Sequence, residues 1–327
     1  MLTAETIQWL RAHYPETLRL NESMWHHTSL RVGGPADAWV APAGIEALRK
    51  LLRWCHQRQI PFMVIGSGTN LLVTDRGIRG IVISLKHFAD DIHIEKTEDL
   101  AVRITAMAGV RLSALCRLAL HHQLTGLNFA LGIPGTLGGA VRMNAGTHLG
   151  TMADILEFID VVGPEGKTWH IPRQALNVAY RRLSWSTDVI PVPPGEALIV
   201  KAGLNLQATP LRHARQKAHQ IVQKRRARQP WHACSAGCFF KNPPVGKTAG
   251  ELIDLAGFKG RRWGTAQVSE RHANFIINTT GGRTSPGCAT DILQLIHSIQ
   301  KSVFEQFNIH LETEVKIAGI LPEKNAQ

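Results

Sequence analysis

Four apolar residues, Phe62-Met63-Val64-Ile65, run straight into Gly66-Ser67-Gly68-Thr69-Asn70, and this junction narrows the folding options further than any other stretch. An apolar run of that length bounded by turn residues reads as a short buried strand, and glycines at its end permit backbone angles that a side chain would oppose. Upstream, Ile45, Leu48, Leu51, Leu52 and Cys55 recur at helical spacing, and Pro61 stops that helix. Downstream come apolar Leu71-Leu72-Val73 and a further strand at Ile81-Val82-Ile83. Helix, strand, glycine-rich turn and strand in this order make an α/β unit with its turn at a strand end.

A polar stretch, Asp90-Asp91 through Glu95-Lys96-Thr97-Glu98-Asp99, separates that unit from the alternating strand Val102-Arg103-Ile104-Thr105-Ala106 and marks a boundary between two lobes. A helix from Arg111 to Gln123 leads to a second glycine-rich segment, Leu131 to Ala140, and strands at Ile155 to Val162 and Leu198 to Leu206 complete the second lobe. From Leu211 the pattern changes to a helix, a loop around Pro230 and the segment Ser235 to Pro243. A last helix places Ile292, Leu295, Ile296, Ile299, Val303 and Phe307 on one face, and the chain closes with a strand from Leu311 to Ile317. The expected division is one domain over 1–210, with lobes of about 1–90 and 91–210, and a second over 211–327.

Several classes drop out on composition. No run of about 18 apolar residues is present to cross a bilayer, and MLTAETIQWLRAHYPE carries charges where a signal peptide needs an apolar stretch. A cytoplasmic protein without membrane insertion is expected. Cys55, Cys116, Cys234, Cys238 and Cys288 show no C-x-x-C spacing and the 16 histidines are scattered, so free thiols and no metal are expected. The formal charge of +12 suits phosphate-bearing partners, whether nucleic acid or small anions. Its one dense basic run, Lys224-Arg225-Arg226-Ala227-Arg228, ends the helix from Leu211, where the helix dipole favours cations. It reads as a solvated helix end, which leaves no nucleic acid and no obligate protein partner in the expectation.

Glycine-rich turns at strand ends bring backbone N–H groups close to phosphate, and two of them suit a dinucleotide pyrophosphate. Neither is G-x-G-x-x-G, since the first reads Gly66-Ser67-Gly68-Thr69-Asn70-Leu71 with no acidic residue clearly about 20 positions on. Four segments, Thr28 to Ala36, Gly66 to Val73, Gly132-Ile133-Pro134-Gly135-Thr136 and Met143-Asn144-Ala145-Gly146, together resemble the FAD-binding domain of the vanillyl-alcohol-oxidase/MurB type. Gly237-Cys238-Phe239-Phe240-Lys241-Asn242-Pro243, Gln267 to Phe275 and Leu311-Glu312-Thr313-Glu314-Val315 resemble the substrate domain of the UDP-N-acetylenolpyruvoylglucosamine reductases, the MurB family. The resemblance runs from about Thr28 to Gly319. It implies an α+β chain: a two-lobed FAD-binding domain with FAD in the cleft between the lobes, and a C-terminal α+β substrate-binding domain. The stretch from Arg181 to Cys238 is too short for the extra tyrosine-bearing loop of the longer family form, which points to the shorter form.

Residue by residue, the resemblance implies Arg181, which follows Tyr180, as catalytic arginine and Glu314 as catalytic glutamate. Cys238 stands where the family carries its proton-donating serine. Tyr180 and Asn242 are implied at the substrate, and Gly66, Ser67, Gly68, Thr69, Asn70, Gly135, Thr136 and Asn144 at the cofactor. Further departures are Leu183, where Tyr-Arg-x-Ser is usual, and Arg142, where an uncharged residue commonly precedes Met-Asn. The implied reaction is the NADPH-dependent, FAD-mediated reduction of UDP-N-acetylglucosamine enolpyruvate to UDP-N-acetylmuramate, a step of peptidoglycan precursor synthesis. FAD is expected to be non-covalent, with NADPH as hydride-donating cosubstrate. A guanidinium can grip a carboxylate in a fork, and a thiol of reference pKa ~8.5 can protonate a carbanion. Three alternatives remain open at this point. Another FAD oxidoreductase of the same cofactor fold would carry a different third unit. A non-catalytic UDP-sugar or FAD-binding paralogue is motivated by the missing serine, and a nucleic-acid binder rests on charge alone.

Overall fold

The computed structural model of the chain describes residues 2–88, 91–97, 100–281 and 288–321. Helix α1 (Ala4–His13) begins at Thr3, whose hydroxyl accepts the Thr6 N–H at 3.2 Å and so satisfies one donor that a helix start leaves free. Strands β1 (Arg19–Ser23), β2 (Pro35–Val40), β3 (Phe62–Ile65) and β5 (Ile78–Ser84) form a sheet in the order β1-β2-β5-β3. In it β2, β5 and β3 run parallel. Parallel neighbours need a crossover, and helix α2 (Ile45–Gln57) supplies it, burying Leu48, Leu51, Leu52 and Cys55 in the core beneath. Between β3 and β5, strand β4 (Leu71–Val73) leaves this sheet and pairs in parallel with β20 (Lys316–Ala318).

The second lobe is an antiparallel sheet in the order β12 (Thr168–Pro172), β11 (Leu156–Val162), β15 (Leu198–Ala208), β7 (Ala101–Met107), β6 (Ile92–Lys96), with β8 (Leu124–Thr125) added against β15. Val102, Ile104 and Ala106 point inward as the alternation requires, against helices α3 (Leu112–His121) and α4 (Leu137–Arg142). Much of the polar stretch expected as a lobe boundary is itself a strand: Ile92 and Ile94 pair with Ala106 and Ile104, and Glu95 and Lys96 after them are exposed on a sheet edge. Ala89, Asp90, Glu98 and Asp99 lie outside the described residues. Two short pieces, β9 (Gly146–Thr147) and β10 (Gly150–Thr151), pair with each other, and β13 (Leu176–Ala179) forms a hairpin with β14 (Arg182–Trp185).

Helix α5 (Leu211–Arg228) touches both halves of the chain: Ala218 lies in the second-lobe core, and the Arg226 carbonyl accepts from Arg271 Nη1 at 3.4 Å. Beyond it, β16 (Cys234–Cys238), β19 (Phe275–Asn278), β18 (Ala266–Val268) and β17 (Arg262–Trp263) form an antiparallel sheet in that order. Helix α6 (Ala249–Leu255) and helix α7 (Cys288–Phe307) cover it, the latter burying Ile292, Leu295, Ile296, Ile299 and Val303. Leu30, Val32 and Leu72 of the first lobe enter the same core. Of the strand expected from Leu311 to Ile317, Leu311 to Val315 is not regular strand. This segment crosses the end of β16, makes one bridge between Thr313 and Phe240, and becomes β20 only at Lys316, where β4 offers a partner. Among the described residues no helix is long and apolar enough to cross a membrane.

Candidate functional site

Two glycine-rich turns face each other. A Cβ on Gly66 would stand 2.3 Å from Thr136 Oγ1, and one on Gly68, at φ 60, would stand 2.0 Å from the His27 carbonyl oxygen. Neither approach is open to another residue. Thr69 Oγ1 donates to Pro134 O at 3.3 Å, which ties the two turns together. Among the described residues, the N–H groups from Gly66 to Asn70 take no part in the backbone hydrogen bonds of turns and loops. They border a cavity of about 530 Å³ also lined by Pro134, Gly135, Thr136, Met143 and Arg181. A second cavity of about 730 Å³ shares Ile65, Gly66, Ser67 and Thr136 with it and adds Arg19, Lys86 and Arg111. Free N–H donors on a strand-end turn, cations beyond them and space to either side fit a dinucleotide such as FAD.

Arg181 arrives at this cavity on the tip of the β13–β14 hairpin, with Ala179 paired to Arg182 and only Tyr180 and Arg181 between them. Its φ is 57, an αL conformation that usually goes to glycine or asparagine at the second loop residue. Arg181 Nε lies 2.8 Å from Glu314 Oε1, an ion pair in which the N–H does not point along the contact, and Nη1 donates to Gly146 O at 3.1 Å. The pair is mostly sheltered, with side-chain exposures of 19% for Arg181 and 10% for Glu314. Burial raises the Glu314 carboxyl above its ordinary value, against the opposing pull of Arg181. Glu314 is held by its backbone: its N–H donates to Phe239 O at 2.8 Å and its carbonyl accepts Asn70 Nδ2 at 3.2 Å.

Cys238 ends β16 beside fully buried Phe239 and Phe240, each of which anchors the strand by about 1.5–3 kcal/mol of apolar burial. Asn274 fixes the same strand end: its Oδ1 accepts the Phe240 N–H at 2.9 Å and its Nδ2 donates to Phe240 O at 2.8 Å. Burial and the Glu314 carboxylate push the Cys238 thiol up to about 12, against Arg181 and Arg225, which favour the thiolate. The charges of Arg181 and Glu314 therefore both reach the Cys238 thiol.

Arg225 joins them and was not anticipated. Its basic run does not end the helix in solvent throughout: Arg225 turns inward, with Nε and Nη1 buried and unpaired within the structure, and burial lowers its pKa. The signal was available, because Ala218, Ile221 and Val222 form the inward stripe of α5 and Arg225 continues it at i+7, i+4 and i+3. Arg142 and Lys316 add two more cations to the cavity wall, both lowered by burial, with Arg142 Nη1 also unpaired. Unpaired buried guanidinium groups are costly unless an anion answers them.

Other expected residues fall differently. Tyr180 is exposed, with the Arg181 guanidinium 5.0 Å from its ring centre. Asn242 is exposed and its Oδ1 accepts the Ala249 N–H at 3.1 Å at the start of α6. Asn144 is buried with both side-chain ends engaged, while its neighbours Met143 and Ala145 line the cavity. Among the described residues no group of three or more histidine, cysteine, aspartate or glutamate side chains could hold a metal ion.

A family model described as FAD binding domain matches residues 36–172, and another, the C-terminal domain of UDP-N-acetylenolpyruvoylglucosamine reductase, matches 229–318. The UDP-N-acetylenolpyruvoylglucosamine reductase of Desulfosudis oleivorans is 43% identical over 312 residues, 95% of this chain and 98% of its own length. That of Caldanaerobacter subterraneus is 41% identical over 304 residues, 92% of this chain and 94% of its own. Among solved structures, the UDP-N-acetylenolpyruvylglucosamine reductase of Thermus caldophilus superposes with a TM-score of 0.73 at 34% identity, covering 92% of this chain and all of that one.

Proposed function

Because the chain belongs to the UDP-N-acetylenolpyruvoylglucosamine reductase family, we propose that Arg181, Glu314 and Cys238 act together on the enolpyruvyl group of its substrate. The activity is that of an FAD-dependent, NADPH-driven UDP-N-acetylmuramate dehydrogenase in peptidoglycan precursor synthesis, in the shorter family form. The substrate is UDP-N-acetylglucosamine enolpyruvate. Bound FAD supplies the hydride-transfer chemistry between NADPH and that substrate. Gly66 to Asn70, Gly135 and Thr136 hold it through backbone donors and short side chains. The same reading divides the chain into a cofactor domain, 1–210, and a substrate domain, 211–327, with α5 in contact with both.

As hydride reaches the vinyl carbon, negative charge develops on the adjoining carbon and its carboxylate. Arg181 meets that charge with a permanent, forked cation, and Glu314 fixes the guanidinium by ion pairing. The Cys238 S–H then gives its proton to the carbanion. A thiol pushed up to about 12 keeps that proton until a strong base forms beside it. The thiolate left behind faces Arg181 and Arg225, which stabilise it until a proton returns from solvent.

The observation that carries this reading is the Arg181–Glu314 contact of 2.8 Å next to Cys238 at a glycine-lined cavity. An anaerobic titration tests it: NADPH bleaches the yellow protein and the enolpyruvyl substrate restores the colour. Absorbance that persists under NADPH would point to a non-catalytic paralogue, and bleaching that this substrate does not reverse would point to another oxidoreductase.

A further inference from the structure

The hairpin that carries Arg181 needs support from outside itself. A non-glycine residue at φ 57 is strained, and such a conformation persists only where surrounding contacts over-determine it. Besides the ion pair with Glu314, two of those contacts come from one short segment. Asn144 Nδ2 donates at 3.2 Å to the carbonyl of Ala179, the last residue of β13 and the one directly before Tyr180-Arg181. At its other end, Asn144 Oδ1 accepts the Ala153 N–H at 3.0 Å. Two residues further, Gly146 O accepts Arg181 Nη1 at 3.1 Å. The segment therefore grips the hairpin beside its tip through Asn144 and the guanidinium through Gly146.

Asn144 is suited to this task in two respects. It sits at φ 43, where asparagine is among the few side chains tolerated, and it offers a donor and an acceptor on one short stem. Both are used, and the side chain is buried. Met143 and Ala145 on either side line the cavity, so the chain passes the cavity wall with Asn144 bonded to the Arg181 hairpin.

We propose that Asn144 is a positioning residue for Arg181, fixing the hairpin tip so that the guanidinium stands against Glu314 and the incoming carboxylate. This deepens the reading above and rests on Arg181 gripping that carboxylate. Asn144→Asp separates the two bonds: it keeps an acceptor for Ala153 and tolerance of positive φ, but sets an oxygen against the Ala179 carbonyl.

The experiment compares wild type, Asn144→Asp, Arg181→Lys and the double variant in each half-reaction. Asn144→Asp slows flavin reoxidation by the enolpyruvyl substrate by about ten- to a hundredfold, the scale expected when a reacting group is displaced by roughly an ångström. Reduction by NADPH, measured per bound flavin on flavin-saturated protein, falls far less than reoxidation, and the double variant reoxidises no more slowly than Arg181→Lys alone. In the flavin-free protein, amides of the 176–185 hairpin exchange hydrogen faster in Asn144→Asp than in wild type. If the buried carboxylate prevents folding, Asn144→Gly keeps the backbone angle, removes both bonds and gives the same split. Equal slowing of both half-reactions, losses that multiply in the double variant, or wild-type reoxidation with unchanged exchange each overturn the positioning role. Arg181→Lys with unimpaired reoxidation removes Arg181 from its own role first, and the positioning of it falls as a consequence.

Discussion

The two ends of the cleft are built from different parts of the polypeptide. On the cofactor side, Gly66 to Asn70 and Gly132 to Thr136 present main chain, and side chains are excluded by contacts as close as 2.0 Å. On the proposed reaction side, Arg181, Glu314 and Cys238 would present side chains from a hairpin turn, an irregular segment and a strand end, which are distant in sequence. Main chain suits pyrophosphate, whose recognition needs only fixed donors. A reaction centre needs a cation, an acid and a defined order of pKa values, which only side chains supply. The difference also shows in strain. The cofactor turn takes its positive φ at Gly68 without penalty, whereas the reaction hairpin imposes one on Arg181.

If that contrast is right, the largest effect comes from adding one methyl group on the cofactor side. Gly68→Ala places a Cβ about 2.0 Å from a backbone oxygen at an αL position, and the variant is expected to lose its flavin entirely. The flavin-to-protein ratio after gel filtration measures this, and full retention would show that the turn does not carry the cofactor. Next comes the acid: Cys238→Ala is expected to slow reoxidation by about 10²- to 10⁴-fold while Cys238→Ser keeps substantial turnover. Stopped-flow rates for the alanine variant close to wild type would assign the proton to another donor. Arg181→Lys follows at about ten- to a hundredfold, confined to reoxidation because an ammonium cannot reproduce the guanidinium fork.

The smallest effect sharpens the contrast through pH. Burial pushes the thiols of Cys55, Cys116 and Cys238 up to about 12. Each folded value exceeds the unfolded one of about 8.5, so the stability these thiols contribute is complete below about pH 8.5 and declines as pH rises toward the folded values. Melting midpoints should therefore fall above about pH 9. Reoxidation, by contrast, should show no thiol-linked loss up to about pH 10, since Cys238 still holds its proton there. An activity loss centred near the ordinary thiol value, absent from Cys238→Ser, would mean that the Cys238 site is far wetter than its burial implies.

What could be read in the sequence follows the same line. The glycine turns, the strand Phe62–Ile65 and the helices α2 and α7 depend on local chemistry and periodicity, and they stand where expected. Arg181, Glu314 and Cys238 are brought together only by resemblance, because nothing local in Tyr180-Arg181 or Leu311 to Val315 specifies a partner more than 50 residues away. Arg225 was missed because a basic run suggests solvent, although the apolar stripe of Ala218, Ile221 and Val222 points it inward. A strand is expected from Leu311 to Ile317, and its first five residues are irregular because they make a single bridge, Thr313 to Phe240, before β4 offers a partner. Asn144 was read beside the cofactor, but its observed side-chain partners lie 9 and 35 residues downstream, out of reach of any local pattern.

The parallel pairing of β4 with β20 also bears on how the molecule is made. Lys316 aligns with Leu71, Ile317 with Leu72 and Ala318 with Val73, and among the described residues β4 has no other strand partner. A ribosome adding about 5–20 residues per second needs roughly 12–50 s to travel from the first of these strands to the second. Throughout that interval the segment beside the glycine turn has an unpaired edge of three apolar residues, the kind of edge that recruits foreign strands. Pairing of the strand that follows the glycine turn is thereby tied to a stretch translated about 245 residues later, since Leu71 aligns with Lys316. Slowed translation between β4 and β20 should lengthen the exposure of that edge and raise aggregation.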